Sequence, residues 1–284
     1  MASFTAACVQ LRSGKTLVDN VEAAEALVRE AARDGARYIQ TPEMSNVLVR
    51  SREELFERIS EAGTDPFLAM ARRLAAELNV YLHLGSLAVL AGGGKVANRA
   101  FLVASDGSVA ATYDKIHMFD VDLPNGESWR ESATYEPGTR SVIADLPFAR
   151  VGMAVCYDIR FPAIFRMQAR QGAEVLTGPA AFTRQTGEAH WHVLQRARAI
   201  ENGAFVISAA QGGTHEDGRE TYGHSLIVDP WGKVLAEIDG DEPGHVLAEI
   251  DTEKVAQARG RIPAIANERE FVCGLAEGLK EMPA

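Results

Sequence analysis

The stretch VGMAVCYDIRFP, residues 151–162, decides the fold class and directs attention to one thiol. Five small or apolar residues lead into Cys156 and favour a buried strand, and Phe161-Pro162 predicts a turn after it. Such a turn in an α/β enzyme presents the side chain at the sheet edge and leaves the next backbone N–H free to bind an oxyanion. Most free cysteines are inert core residues, so two interpretations of Cys156 stay open here: a nucleophile and a core residue.

Segments of helix and strand character alternate along the chain and predict one α/β domain, residues 1–284, in which helices cover sheets. Spacing and capping residues predict helices at 19–33 with Asp19 as the N-cap, 53–59, 66–78 with Asp65 as the N-cap, 162–171, 188–202 and 252–261. Composition and turn signals predict strands at 4–11, 37–40, 80–90, 95–104, 109–113, 151–155, 175–177, 204–210, 225–228, 234–238 and 245–250. Residues 116–138 show little periodicity, which predicts a polar loop.

The charge balance narrows the class of partner. With 29 Lys and Arg residues against 39 Asp and Glu residues, the formal net charge of −10 argues against nucleic acid and anionic membranes. A small anionic substrate stays compatible, because one arginine can hold it. Three cysteines form no disulfide framework, no signal peptide is evident and no apolar run reaches a spanning length, so a cytoplasmic location is expected.

Three other chemistries lack their residues in this sequence. Ser13-Gly14-Lys15-Thr16 is not a phosphate-binding loop, because Val9 stands where the first glycine is needed. No Gly-x-Ser-x-Gly elbow supplies a serine nucleophile. His190 and His192 point to different faces of a helix and no third ligand stands at zinc-like spacing, so neither a metal nor another cofactor is predicted.

Two charged residues share the setting of Cys156. Glu43 in YIQTPEMSN and Lys115 in ATYDKIHMF each lie near the end of a predicted strand, in apolar or turn surroundings. A charge in such surroundings is costly unless it is paired, so each residue needs a partner. Either one alone fits an ordinary ion pair at a loop. The presence of Glu43 and Lys115 together with Cys156 makes an ordinary ion pair at a loop a weaker interpretation of either residue.

The motifs around these residues make the chain resemble the nitrilase superfamily of carbon–nitrogen hydrolases over nearly its whole length. The resemblance rests on TPE around Glu43, YDKIHMFDVDLP around Lys115 and AVCYDIRFP around Cys156. It continues through TGEAHWHVLQRARAIEN at 186–202 and YGHSLIVDPWG at 222–232. These two segments, with WRES around Glu131, resemble the Nit branch in particular, which acts on ω-amides of 2-oxo acids and on deaminated glutathione.

The resemblance implies a fold and a set of roles. The fold is a four-layer α-β-β-α sandwich, and two copies pair through helices into a homodimer. Cys156 attacks an amide carbonyl to form a thioester, and Glu43 accepts and returns protons. Lys115 and the Tyr157 backbone N–H stabilise the oxyanion, while Glu131 holds Lys115 and helps to position the substrate.

The substrate class that the resemblance implies is a small amide that carries a carboxylate. The expected substrate-binding residues are Phe119, Phe182, Arg184 and Thr186. Arg184 supplies the cation that a carboxylate needs, although a solvent-facing loop arginine is an equally good description of it.

Three alternatives stay open. Within the family, a nitrilase or an N-carbamoyl amidohydrolase shares these motifs, because pocket shape decides which bond is cleaved. A Cys–His acyl hydrolase with His190 as its base is a second class of enzyme. A non-catalytic binding module on the same scaffold is the third, and the complete set of Glu43, Lys115 and Cys156 speaks against it.

Overall fold

The computed structural model describes residues 3–124 and 126–275. The strands in these ranges are β1 (Ser3–Gln10), β2 (Tyr38–Gln40), β3 (Tyr81–Gly92), β4 (Lys95–Val103), β5 (Val109–Asp114), β6 (Asp120–Asp122), β7 (Ser128–Arg130), β8 (Val142–Asp145), β9 (Arg150–Met153), β10 (Val175–Thr177), β11 (Phe205–Ser208), β12 (Gly212–Thr214), β13 (Glu220–Tyr222), β14 (Leu226–Val228), β15 (Val234–Glu237) and β16 (Gly244–Asp251). The α-helices are α1 (Leu17–Arg33), α2 (Arg52–Arg58), α3 (Pro66–Leu78), α4 (Pro162–Arg170), α5 (Arg184–Asn202) and α6 (Glu253–Arg261). None of these helices is both long enough and apolar enough to cross a bilayer.

Two six-stranded sheets face each other across one apolar core. The first has the strand order β16-β1-β2-β3-β4-β5 and the second the order β15-β14-β11-β10-β9-β8. One buried cluster joins residues of both sheets, among them Tyr38 of the first and Val206 of the second. Helices α1 and α3 pack on the outer face of the first sheet, and α4 and α5 pack on the second. The predicted α-β-β-α sandwich of two mixed sheets is confirmed.

The two sheets have the same succession of parallel and antiparallel pairings, although the sequence shows no evident repeat and their outer strands β16 and β8 are connected differently. The orders β16-β1-β2-β3-β4-β5 and β8-β9-β10-β11-β14-β15 both run through one antiparallel, two parallel and two antiparallel pairings. Each parallel crossover carries a helix, α1 and α3 in the first half, α4 and α5 in the second. Strands β1 and β9 therefore occupy equivalent places.

Capping residues explain where the first helices begin and end. The Asp65 side chain accepts a hydrogen bond from the Leu68 N–H at 2.9 Å, and Asn79 ends α3 in the left-handed conformation. The predicted bounds of α3 are confirmed. The predicted N-cap of α1 is wrong: the cap is Thr16, and Asp19 lies in the first turn, where a carboxylate stabilises the positive end of the helix.

Some elements differ from the prediction. The predicted loop at 116–138 contains the β6–β7 hairpin and a short 3₁₀ turn, Glu131–Ala133. Helix α5 begins at Arg184, earlier than the predicted start at 188, and strands β8, β12 and β13 were not predicted. These strands are short, and cross-strand pairing stabilises them rather than any local pattern.

Candidate active site

The turn after β9 holds Cys156 in an unusual conformation. Its φ is +49°, in the left-handed region that residues other than glycine rarely adopt. The Cys156 N–H donates to the carbonyl of Pro179 at 2.8 Å. Buried Asp158 accepts hydrogen bonds from the Val155 N–H at 2.8 Å and from the Tyr113 hydroxyl at 2.7 Å. These contacts hold the strained turn in place, as is common at functional sites.

The turn after β2 holds Glu43 in a comparable way. Its neighbour Met44 also has a left-handed φ, +55°, and the Met44 N–H donates to the Ser86 hydroxyl at 3.0 Å. Gly85 of β3 packs directly against the Thr41 carbonyl, where a Cβ atom would collide with the backbone. A glycine is therefore needed at Gly85 for this turn to reach its position.

The ammonium group of Lys115 joins the carboxylates of buried Glu43 and partly buried Glu131. Its Nζ lies 2.9 Å from Glu43 Oε1 and 2.8 Å from Glu131 Oε2. The Asn98 amide donates to the same two residues, at 2.9 Å to Glu43 and 3.0 Å to Glu131. The second Glu43 oxygen accepts the Ala181 N–H at 2.9 Å. Lys115 is only 2% exposed, so these bonds compensate for the burial of its charge.

Burial and charge together determine the protonation of the site. Burial raises the pKa of Glu43, but the charge of Lys115 and the surrounding hydrogen bonds lower it to below its ordinary value of 4.5. Burial lowers the pKa of Lys115, and the charges of Glu131 and Glu43 outweigh this and raise it well above its ordinary value. Burial and the charge of Glu43 raise the pKa of the Cys156 thiol well above its ordinary value. The resting site therefore contains a carboxylate, an ammonium and a protonated thiol.

The three groups line one cavity of about 340 Å³. Its aromatic lining consists of Phe119, Trp129, Tyr135, Tyr157 and Phe182. Tyr157 follows Cys156 in the first turn of a 3₁₀ helix, where backbone N–H groups have no acceptor within the helix. This N–H is therefore available for an oxyanion that forms next to the thiol.

The structure separates the predicted substrate-binding residues into two groups. Phe119, Phe182 and Thr186 line the cavity, as do Glu43, Lys115, Glu131, Cys156 and Tyr157. Arg184 is not among the lining residues, and its guanidinium lies 2.6 Å from Asp241 and 3.7 Å from Glu220. The early start of α5 explains this position, because it places Arg184 in the first helical turn rather than in a loop.

Among the arginines of the lining, Arg160 is distinguished by its partners. Arg50, Arg130 and Arg219 pair with Glu127, Asp122 and Asp217, respectively. Within residues 3–124 and 126–275, Arg160 has no carboxylate partner. Its guanidinium lies 5.2 Å from the Phe182 ring and 5.9 Å from the Tyr157 ring, and its Nη1 lies 3.2 Å from His190 Nδ1. Arg160 therefore places a cation with free donor capacity at the cavity wall.

Two residues of the site were not identified from the sequence, and one candidate base is displaced. Asn98 is a buried amide in the apolar strand KVANRAFLV, and Arg160 stands four residues after Cys156 in CYDIRFP; both signals were present. His190 is exposed, contacts Arg160 and is not among the lining residues. A Cys–His pair built on His190 is therefore not formed in this structure.

A buried thiol, a carboxylate and an ammonium that line one cavity can together supply the nucleophile, the proton acceptor and the oxyanion donor of an acyl transfer. Comparison with known proteins gives the family. The family model for carbon-nitrogen hydrolases matches residues 5–260. The chain belongs to the carbon–nitrogen hydrolase family, which confirms the resemblance to the nitrilase superfamily, and it is a hydrolase of carbon–nitrogen bonds other than peptide bonds.

Individual relatives agree with this family. A deaminated glutathione amidase of Synechocystis sp. (strain PCC 6803 / GT-S) is 40% identical over 277 residues, 96% of this chain and 100% of that protein. Omega-amidase NIT2 of Homo sapiens is 36% identical over 271 residues, 95% of this chain and 96% of that protein. The crystal structure of the C. elegans NitFhit protein matches with a TM-score of 0.88 at 34% identity, over 95% of this chain and 66% of that longer chain.

Proposed function

We propose that the chain is a thiol amidase that cleaves the amide of a small carboxylate-bearing 2-oxo acid, with deaminated glutathione as the preferred type of substrate. The observation that carries the proposal is the network in which Lys115 joins Glu43 and Glu131 beside Cys156. The relatives named deaminated glutathione amidase and omega-amidase support the substrate class.

Acylation begins with a protonated thiol and an ionised carboxylate, as the directions of their pKa shifts require. The Cys156 sulfur attacks the amide carbonyl carbon while Glu43 takes the thiol proton. The negative charge that forms on the carbonyl oxygen is stabilised by Lys115 Nζ and the Tyr157 N–H. The carbon–nitrogen bond then breaks, Glu43 gives its proton to the leaving nitrogen, and a thioester remains on Cys156.

Deacylation uses the same groups with water in place of the thiol. Glu43 is again a carboxylate and takes a proton from a water molecule that attacks the thioester carbonyl. The carbon–sulfur bond breaks, the product acid leaves, and the proton on Glu43 returns to the Cys156 sulfur. Glu131 and Asn98 contact Lys115 or Glu43 directly, so we assign them positioning roles.

Arg160 is the carboxylate anchor in this proposal and replaces Arg184 in that role. Arg160 lines the cavity and pairs with no carboxylate among the described residues, whereas the Arg184 guanidinium is already paired with Asp241. A charge-assisted hydrogen bond from Arg160 to the carboxylate is worth about 1.5–3 kcal/mol, or roughly 10- to 150-fold in affinity.

The decisive experiment measures kcat/KM of the wild type, Arg160→Ala and Arg184→Ala on deaminated glutathione, 2-oxoglutaramate and an uncharged amide of similar size. Arg160→Ala should lose about 100-fold on the two carboxylate-bearing substrates and much less on the uncharged amide. Arg184→Ala is the matched control and should behave as the wild type. The reverse pattern would return the anchor to Arg184, and activity on the matching nitrile alone would indicate a nitrilase instead.

The assembly and location are also part of the proposal. Exposed apolar side chains occur on α4 and α5 and on a nearby turn, namely Met167, Val193, Ile200 and Trp231. Such residues on neighbouring elements fit a surface that a second copy covers in a homodimer. Light scattering on the wild type and on Val193→Asp should give a dimer and a monomer, respectively.

The free thiols of Cys8, Cys156 and Cys273 support a reducing, cytoplasmic location.

A further inference from the structure

Two histidines and one glutamate meet outside the cavity. Glu237 Oε1, at the end of β15, lies 2.6 Å from His192 Nε2 on α5 and 2.9 Å from His224 Nδ1 just before β14. The atoms that these three residues offer as ligands all lie within 4.8 Å of one another. None of the three residues lines the cavity around Cys156.

The surroundings hold this cluster in a defined geometry. Tyr222 stacks on the His224 ring with centroids 4.3 Å apart and meets the His192 ring edge-on at 6.0 Å. The backbone of His224 is left-handed, with φ of +56°; its N–H donates to the Gly240 carbonyl at 3.0 Å and its carbonyl accepts the Trp191 indole N–H at 2.8 Å. These contacts therefore hold His224 next to Glu237 in a strained backbone conformation.

We propose that His192, His224 and Glu237 bind one divalent first-row transition-metal ion, with Zn²⁺ as the best fit. Two imidazoles and one carboxylate are a donor set that zinc accepts, with water at the fourth position. Zinc–ligand bonds of about 2.0–2.1 Å need donor atoms roughly 3.3 Å apart. The 2.6 Å distance between His192 Nε2 and Glu237 Oε1 therefore has to lengthen by less than about 1 Å. The side chains of His192 and Glu237 are 35% and 28% exposed, which allows both this movement and entry of the ion.

The expected role of the ion is structural. It would link α5 to the β14–β15 hairpin. No pattern in the sequence indicates that these two elements share a ligand. His192 and His224 are 32 positions apart and Glu237 is a further 13 away, which is why the spacing of histidines in the sequence predicts no metal. Because the cluster is separate from Cys156, ion binding should change thermal stability and leave amide turnover in place.

Calorimetric titration of the metal-free chain with Zn²⁺ tests the proposal. The Cys156→Ala/Cys273→Ser background removes the thiol of the active site and the exposed thiol, which would otherwise compete for zinc. The expected result is one ion per chain, with affinity reduced about 100-fold in His192→Ala and in Glu237→Gln. His245→Ala is the matched control, because His245 also pairs with carboxylates, Asp34 at 2.8 Å and Glu30 at 4.0 Å, and its loss should leave zinc affinity unchanged.

Thermal unfolding provides a second readout that does not depend on calorimetry. At about 100 times the Kd, zinc should raise the Tm of the parent by roughly 5 °C or more and should not raise that of His192→Ala or Glu237→Gln. Turnover by His192→Ala in the chain that retains Cys156 shows that this variant is folded. Equal zinc affinity in the parent and both ligand variants, or no binding to the parent, would overturn the proposal. Neither outcome would affect the proposed amidase function.

Discussion

Cys8 and Cys156 are both buried free thiols, one within β1 and the other just after the equivalent strand β9, yet their neighbours differ in kind. Cys8 lies within β1, points into the core and donates to the Leu226 carbonyl of the facing sheet at 3.5 Å. Cys156 lies beyond the end of β9, in a left-handed turn that faces the charged pair of Glu43 and Lys115. Cys156 thus stands three residues past the end of its strand, where it has chemical partners, whereas Cys8 stands within its strand and packs in the core.

Acidity does not explain the difference between the two thiols. Burial raises the pKa of Cys8 to about 12, and burial together with Glu43 also raises the pKa of Cys156. What distinguishes Cys156 is a carboxylate with a lowered pKa beside it, which can take the proton during attack on a substrate in the cavity. In the proposed mechanism, Cys156 is the nucleophile because Glu43 can accept its proton and the cavity gives it access to substrate.

Replacing each thiol with alanine gives the largest expected contrast. Cys156→Ala removes the nucleophile and should lower kcat by about 10⁴-fold or more. Cys8→Ala removes one sulfur from the core, so it should lower the free energy of unfolding by about 1–2 kcal/mol while turnover is kept. Steady-state hydrolysis of deaminated glutathione and urea unfolding measure the two effects. Activity that survives in Cys156→Ala would refute the mechanism.

The next largest effect concerns the proton acceptor. Glu43→Gln keeps the shape of the side chain but cannot take a proton, so kcat should fall by about 10³-fold. Glu131→Gln is the matched control, since it also removes a carboxylate from Lys115 but leaves the base, and its loss should be smaller. Similar losses in the two variants would mean that the loss of a carboxylate charge next to Lys115, and not the loss of proton transfer, accounts for the fall in kcat.

The pH dependence of the wild type follows from the lowered pKa of Glu43. Activity should persist as the pH falls through 4.5, the ordinary value for glutamate, and should decline only as Glu43 is protonated at its lower pKa. The same shift means that Glu43 stabilises the fold above its ordinary pKa, and that this contribution is lost as the pH falls through the lowered one. Initial rates and unfolding free energies measured over the acid range check both statements. A decline in initial rate that begins well above pH 4.5 would contradict the lowered pKa of Glu43.

A smaller effect is expected from the residue that holds both carboxylates. Asn98→Ala removes hydrogen bonds to Glu43 and Glu131, so kcat/KM and the rate of Cys156 alkylation by iodoacetamide should each fall by about tenfold. Exposed Cys273 provides an internal reference in the same sample, followed by peptide mass spectrometry, and its rate should not change. Equal slowing at Cys273 would indicate general damage instead.

The sequence predicted those parts of the molecule that depend on local signals. The bounds of helix α3 are confirmed because Asp65 caps it, and motifs that surround Glu43, Lys115 and Cys156 indicate these residues as the candidate site. The contact of Asn98 with both carboxylates, the lack of an acidic partner for Arg160 among the described residues and the pairing of Arg184 with Asp241 all depend on how distant elements meet. No periodicity or spacing in a single sequence encodes such contacts.

The last prediction concerns Cys8 alone and has the smallest effect. Because its folded pKa is raised from 9.0 to about 12, Cys8 contributes stability that is fully present below pH 9.0 and is lost as the pH rises toward 12. Between about pH 8 and about pH 10 the unfolded chain releases the thiol proton and the folded chain retains it, which lowers the free energy of unfolding by about 1.4 kcal/mol. Urea unfolding should therefore show a shallower alkaline decline in Cys8→Ala than in the wild type, whereas Cys273→Ser, which removes an exposed thiol, should follow the wild type. Identical declines in all three proteins would show that Cys8 is accessible to solvent base, and the contrast with Cys156 would then rest on the proton acceptor alone.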